Sequence, residues 1–87
     1  MSAWEIRFHP AWDAYFSKLD KAMKGRVMKK IVQLAGELPA RHLKQGVPFY
    51  VCELGQYRLC FEEEEKTRIR WLHFVGTHKE YEKWTGI

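Results

Sequence analysis

Apolar and polar positions along this chain alternate with two different periods, and the change of period outlines the elements. Trp4-Glu5-Ile6-Arg7-Phe8 alternates apolar and charged residues, which predicts a first strand. His9-Pro10 ends it. Proline at a first helical position with Asp13 in the first turn predicts a helix start, and Trp12, Tyr15, Phe16 and Leu19 fall on one buried helical stripe. Asp20 can cap a second helix whose apolar face is Val27, Ile31, Leu34, Ala35 and Leu38, ending near Gly36 and Pro39. The pattern is compatible with two helices or with one kinked helix. A connecting loop is expected from Ala40 to Pro48.

From Phe49 the period falls to two. Phe49 to Leu54 predicts a strand, Gly55-Gln56 a tight turn, and Tyr57, Leu59 and Phe61 the inward positions of the return strand. With Gly55 and Gln56 as loop residues, Leu54 pairs with Tyr57, Glu53 with Arg58 and Cys52 with Leu59. Cys52 and Cys60 then point to opposite faces and cannot bond. Both are expected to be reduced, structural thiols. Glu62 to Lys66 is expected to be a solvated hairpin end, Ile69 to Val75 a further strand, and Gly76-Thr77-His78 the break before a short helical tail carrying Tyr81 and Trp84.

The predicted order is β, α, α, a three-stranded meander and a short α. That is an α+β fold with a mainly antiparallel sheet and two helices packed on one face. At 87 residues there is room for one domain, spanning 1–87. No apolar run reaches the ~20 residues needed to span a bilayer, and the start of the chain lacks a signal-peptide pattern. A cytoplasmic location without membrane association is therefore expected.

Charge adds one feature. The net charge is +4, but from Lys18 to Lys44 there are eight basic and two acidic residues, against seven and nine in the rest of the chain. Lys21, Lys24, Arg26, Lys29 and Lys30 in the second helix, with Arg41 and His42 beyond it, suit a polyanionic partner, nucleic acid or an acidic protein. Read blandly, they are a solvated helix face. No C-x-x-C, H-E-x-x-H or glycine-rich phosphate loop occurs, so no metal or other cofactor is expected. The only serine after Ser2 is Ser17, inside a helix, which argues against a serine triad.

The available Arg, His, Lys, Tyr and Glu side chains instead suit metal-independent RNA cleavage. That reaction needs a base for the ribose 2′-hydroxyl, a cation on the phosphate and an acid for the departing 5′-oxygen. Arg58 is either a cross-strand ion pair with Glu53 or a phosphate clamp. His78 is either a helix cap or a proton-transfer group at a strand end. Tyr81 and Trp84 either pack or stack on bases. His73 reads as a satisfied sheet histidine.

Four segments, FHPAW, RVMKKIVQL, ELGQYRLCF and VGTHKEY, occur in order over nearly the whole chain. In them the sequence resembles the RelE/ParE superfamily of toxin–antitoxin toxins, especially its RelE and HigB-like members. The resemblance implies a ribosome-dependent endoribonuclease that cuts mRNA in the A site and is neutralised by a cognate antitoxin. A ParE-like, non-catalytic inhibitor of DNA gyrase is the alternative. On this resemblance the strand arginine is Arg58, the basic or imidazole residue after the last strand is His78, and the C-terminal aromatic is Tyr81 or Trp84. Lys79, Trp84 and the basic residues of the middle segment would contact RNA or ribosome. RelE carries catalytic lysines on the strand before the arginine. Here that strand, Phe49 to Glu53, has none, so Lys44, His42 or Glu53 would serve.

Overall fold

In the computed structural model, which describes residues 3–36, 41–42 and 49–86, the first strand lies beside the last. The elements are β1 (Glu5–Phe8), α1 (Trp12–Phe16), α2 (Lys21–Leu34), β2 (Arg41–His42), β3 (Phe49–Leu54), β4 (Tyr57–Glu64), β5 (Ile69–Thr77) and α3 (His78–Thr85). They build a mixed α+β sheet in the order β1-β5-β4-β3-β2, antiparallel except for β1, which runs parallel to β5.

The helices on one face are two, not one kinked rod. The first ends at Phe16, leaving Leu19 in the connection. The second starts at Asp20, whose carboxylate accepts the Met23 N–H at 2.7 Å as an N-cap. The first helix also begins later than its proline suggests, with Ala11 at the N-cap and Pro10 in the preceding turn. Trp12, Met23, Val27, Ile31 and Leu34 pack there on Cys52, Leu54, Leu59, Phe61, Leu72 and Val75. On the opposite face, Val51, Cys60 and Phe74 are covered by Tyr81 and Trp84 of α3, with Tyr15 wedged against both clusters.

The hairpin register matches the alternation: Glu53 faces Arg58 and Cys52 faces Leu59. Cys52 and Cys60 lie in different clusters and both are free thiols. Burial raises both above the ordinary thiol range, Cys60 to about 12, so neither is a ready nucleophile.

Two expectations are corrected. Arg41–His42, placed in a loop by the sequence pattern, forms a two-residue edge strand paired with Val51 and Tyr50. The glutamate run is not a solvated turn, since Glu62, Glu63 and Glu64 continue β4. Glu63 is drawn inward by Arg70, which donates to it from Nε (3.0 Å) and Nη2 (2.8 Å). Arg70 is 5% exposed, and its Nη1 donates to the carbonyls of Leu34 (2.7 Å) and Gly36 (3.1 Å), under the ring of Trp4. One guanidinium thus neutralises a strand carboxylate and satisfies carbonyls left open at the end of α2.

Candidate active site

The junction of β5 with α3 meets the β3–β4 turn, and this contact assembles the site. Thr77 caps α3: its hydroxyl accepts the Glu80 N–H at 3.3 Å while the Glu80 carboxylate accepts the Thr77 N–H at 2.8 Å. Gly76 is needed just before it, because a Cβ there would stand 2.7 Å from the Glu80 carboxylate and 2.8 Å from the Phe74 ring. Gly55 takes a left-handed φ of 63°, which glycine adopts without strain. The two segments are tied by the His78 N–H, which donates to the Gln56 carbonyl at 3.1 Å.

Around that tie, Gly55, Gln56, Arg58, Thr77, His78 and Lys79 line an open cleft of about 460 Å³. Arg58 sits opposite Gly76, and its Nη1 donates to the carbonyls of Gly55 (3.2 Å) and Tyr57 (3.1 Å). Its side chain is only 17% exposed, so it is less open than a residue on a bare sheet face. The cross-strand ion pair with Glu53 is present but long, at 4.0 Å. Such a contact adds at most a few tenths of a kcal/mol, by the ~0–1 kcal/mol typical of exposed pairs. His78 is the first residue of α3 rather than its cap. It is half exposed, and its Nε2 lies 3.0 Å from the Glu82 carboxylate one helical turn on. The Tyr81 ring is 6.1 Å from the His78 ring.

Arg26 joins this group from α2. Its guanidinium lies against Gly55, 3.5 Å from where a Cβ would stand. Two arginines therefore flank one turn, and the basic stripe of α2 runs up to the cleft. Lys21, Arg26 and Lys29 are exposed, while Lys24 and Lys30 are half-buried, Lys24 lying over the Phe16 ring. Trp84 is drawn onto the sheet, stacked on Phe74 at 5.1 Å and edge-on to Phe49 at 6.0 Å. Arg41 and His42 stand on the edge strand two strands away from Arg58, and Lys44 lies outside the described residues.

Sequence reasoning missed three partners. Glu82 sits at the i+4 spacing from His78 that puts both on one helix face, and Thr77-x-x-Glu80 is a capping box; both spacings were legible. The third is a cluster around His73, whose Nε2 is 3.1 Å from Glu62 and whose ring stacks on His9 at 4.4 Å. Nothing in the local pattern brings His9 to His73; the β1–β5 pairing does. Among the described residues no three His, Cys, Asp or Glu side chains gather as metal ligands, and no helix is long and apolar enough to cross a membrane.

No protein-family profile matches the sequence, and no curated protein does at a significant level. Solved structures do match. A double-arginine mutant of E. coli toxin RelE in the free state aligns with a TM-score of 0.79 at 20% identity, covering 95% of this chain and 92% of its own. The isolated E. coli RelE toxin gives 0.73 at 19% identity, covering 97% of each chain. The RelB–RelE antitoxin–toxin complex from Methanococcus jannaschii gives 0.73 at 15% identity, covering 90% of this chain and 96% of that one.

Proposed function

We propose, on the premise that a chain with the fold of the RelE toxins carries their kind of site, that this protein is the toxin of a toxin–antitoxin pair. Its activity is endonucleolytic cleavage of mRNA in the ribosomal A site, by acid–base chemistry without a metal. The observation that carries the reading is the convergence of Arg58 and His78 on one open cleft, with Lys79 and Arg26 at its rim. A guanidinium and an imidazole side by side are what transesterification at phosphorus needs.

In this reading Arg58 leaves its turn carbonyls for the scissile phosphate, where its planar fork meets the non-bridging oxygens and the extra transition-state charge. A base, Glu53 or Lys44, takes the 2′-hydroxyl proton. The 2′-oxygen attacks phosphorus, the bond to the 5′-oxygen breaks, and His78 gives that oxygen a proton or makes a second phosphate contact. The products are a 2′,3′-cyclic phosphate and a 5′-hydroxyl. Glu82 holds the His78 ring in orientation, and Tyr81 orients the adjoining base. Trp84 offers a further ring, and the basic residues of α2, with Arg41, His42 and Lys79, supply counter-charge to ribosomal RNA.

A cognate antitoxin is the second partner, as RelB is for the RelE proteins that share the fold. An antitoxin segment would cover the helices, the active face or the open edge at β1. The carboxylate-held imidazole favours cleavage over a ParE-like gyrase inhibitor, which has no use for a proton-transfer pair. Primer-extension mapping of mRNA ends on translating ribosomes tests this: new ends inside A-site codons are expected. Intact mRNA together with trapped gyrase–DNA complexes would replace this reading with the other.

A further inference from the structure

The first strand leaves part of its neighbour uncovered. β1 pairs with β5 only from Ile69 to Leu72, where the His9 N–H donates to the Leu72 carbonyl at 2.9 Å and Pro10 turns the chain away. Past Leu72 that flank of β5 has no strand beside it among the described residues, and α1 runs there instead. Tyr15 of α1 meets the Phe74 ring edge-on at 4.9 Å. Since α3 departs from the end of the same strand, a groove opens between α1 and α3.

Two adjoining cavities of about 140 and 370 Å³ make up this groove, and they share Tyr15, Lys18 and Glu80. The smaller reaches Tyr57 and Thr77, and Thr77 also lines the Arg58–His78 cleft. The larger ends at Lys83 and Trp84. The groove therefore continues from the cleft, around the start of α3 and along its outer flank.

Its walls are cationic and aromatic. Lys18 and Lys83 are exposed and pair with no carboxylate among the described residues. The Lys18 ammonium lies over the Tyr15 ring, 5.9 Å from its centre. Glu80 is the one carboxylate on the walls among the described residues. Its Oε1 is committed to the cap of α3, accepting from the Thr77 N–H (2.8 Å) and hydroxyl (3.2 Å). Tyr15 and Trp84 are half-buried, with part of each ring lining the groove. Unpaired ammonium groups beside aromatic rings suit a single-stranded nucleic acid, its phosphates on the cations and its bases on the rings. Continuity with the proposed cleavage cleft favours RNA over an acidic peptide.

We propose that this groove carries the RNA strand on the 3′ side of the cut, with Lys18 and Lys83 as phosphate contacts and Tyr15 and Trp84 as stacking rings. The inference rests on the RNA-cleavage reading above and adds a substrate-binding site to it. Polarity follows from the ribosome. Codon–anticodon pairing in the P site holds the message 5′ of the A-site codon, so only the 3′ strand is free to enter. Contacts to phosphates and ring faces read no sequence. None of the four residues takes part in bond breaking.

The test is single-turnover cleavage on programmed ribosomes at varied toxin concentration, with messages that run past the A-site codon or stop at its last nucleotide. Truncation should raise the wild-type half-saturating concentration by roughly 10-fold, the scale of a lost base stack with its phosphate contacts. The double variant Lys18→Glu, Lys83→Glu should raise it about as much on the long message, and by less than about two-fold on the truncated one. A wild type indifferent to truncation, or a variant equally weakened on both messages, overturns the groove alone. So does a variant that cleaves like wild type but binds antitoxin less tightly, which would assign the groove to an acidic protein segment. No cleavage of either message by the wild-type protein overturns the RNA reading and the groove with it.

Discussion

The Nη1 of Arg58 donates to the carbonyl oxygen of Gly55 at 3.2 Å, so the proposed phosphate clamp rests against the turn that its own strand begins from. The same turn is flanked by Arg26 and held to His78 by the Gln56 carbonyl. An incoming phosphate therefore competes with neutral carbonyl acceptors for a cation that is already positioned.

Arg58→Ala is expected to lose roughly 10²–10³ in cleavage rate, the usual effect of removing one preorganised transition-state donor. Its two turn hydrogen bonds also vanish, at about 0.5–1.5 kcal/mol each, so a modest fall in melting temperature accompanies the loss. Single-turnover cleavage beside thermal melts separates the two effects. A lower melting temperature with near wild-type cleavage would leave Arg58 as a turn-stapling residue only.

His78→Ala should cost about 10²–10⁴ in rate if the imidazole is the general acid. The fold should barely respond, because Thr77 and Glu80 cap α3 without it and exposed substitutions usually change stability by about ±0.5 kcal/mol. Glu82→Gln leaves the ring in place but removes its orienting charge, and a smaller rate loss is expected. Equal rates for wild type and His78→Ala at saturating ribosome would remove His78 from the chemistry.

The Arg70–Glu63 pair predicts a different kind of loss. Arg70→Ala strands a buried carboxylate and uncovers the carbonyls of Leu34 and Gly36, and breaking one side of a buried pair typically costs about 3–5 kcal/mol. Urea unfolding should show it as a lower midpoint. Since Arg70 lies on the helix-packed face, wild-type midpoints for Arg70→Ala would mean that the guanidinium contributes no net stability.

Protonation of His73 opposes folding. Its folded pKa lies below the ordinary ~6.5, chiefly through burial, with Glu62 and His9 as the titratable groups facing it. The unfolded chain takes up this proton first as pH falls. Stability from this residue is therefore full above about 6.5 and declines as pH falls from there toward the lowered folded value. Melting temperatures across pH 7.5 to 5 should fall more steeply for the wild type than for His73→Gln, which cannot titrate. Parallel profiles would show that the ring is neutral for no energetic reason.

What the sequence determined by itself was whatever depends on neighbours in the chain. The period-2 run around Gly55-Gln56 dictated the hairpin register, hence Glu53 opposite Arg58 and the two thiols on opposite faces. Asp20 as a cap and the apolar stripe of α2 were equally local. Even the overlooked His78–Glu82 and Thr77–Glu80 pairs followed from helical spacing. Tertiary structure decided what long loops bring together. Glu63 is legible as one of four like charges, and only Arg70, reaching the end of α2, makes it a buried partner rather than a solvated one. Arg26 is one lysine-rich-stripe residue among several until α2 packs beside Gly55. His9 meets His73 because β1 inserts parallel to β5 and a register slip between Cys60 and Phe61 leaves His73 beside Glu62 and His9. Pairing between distant strands is set by the burial of whole faces, a long-range free energy that no local period records.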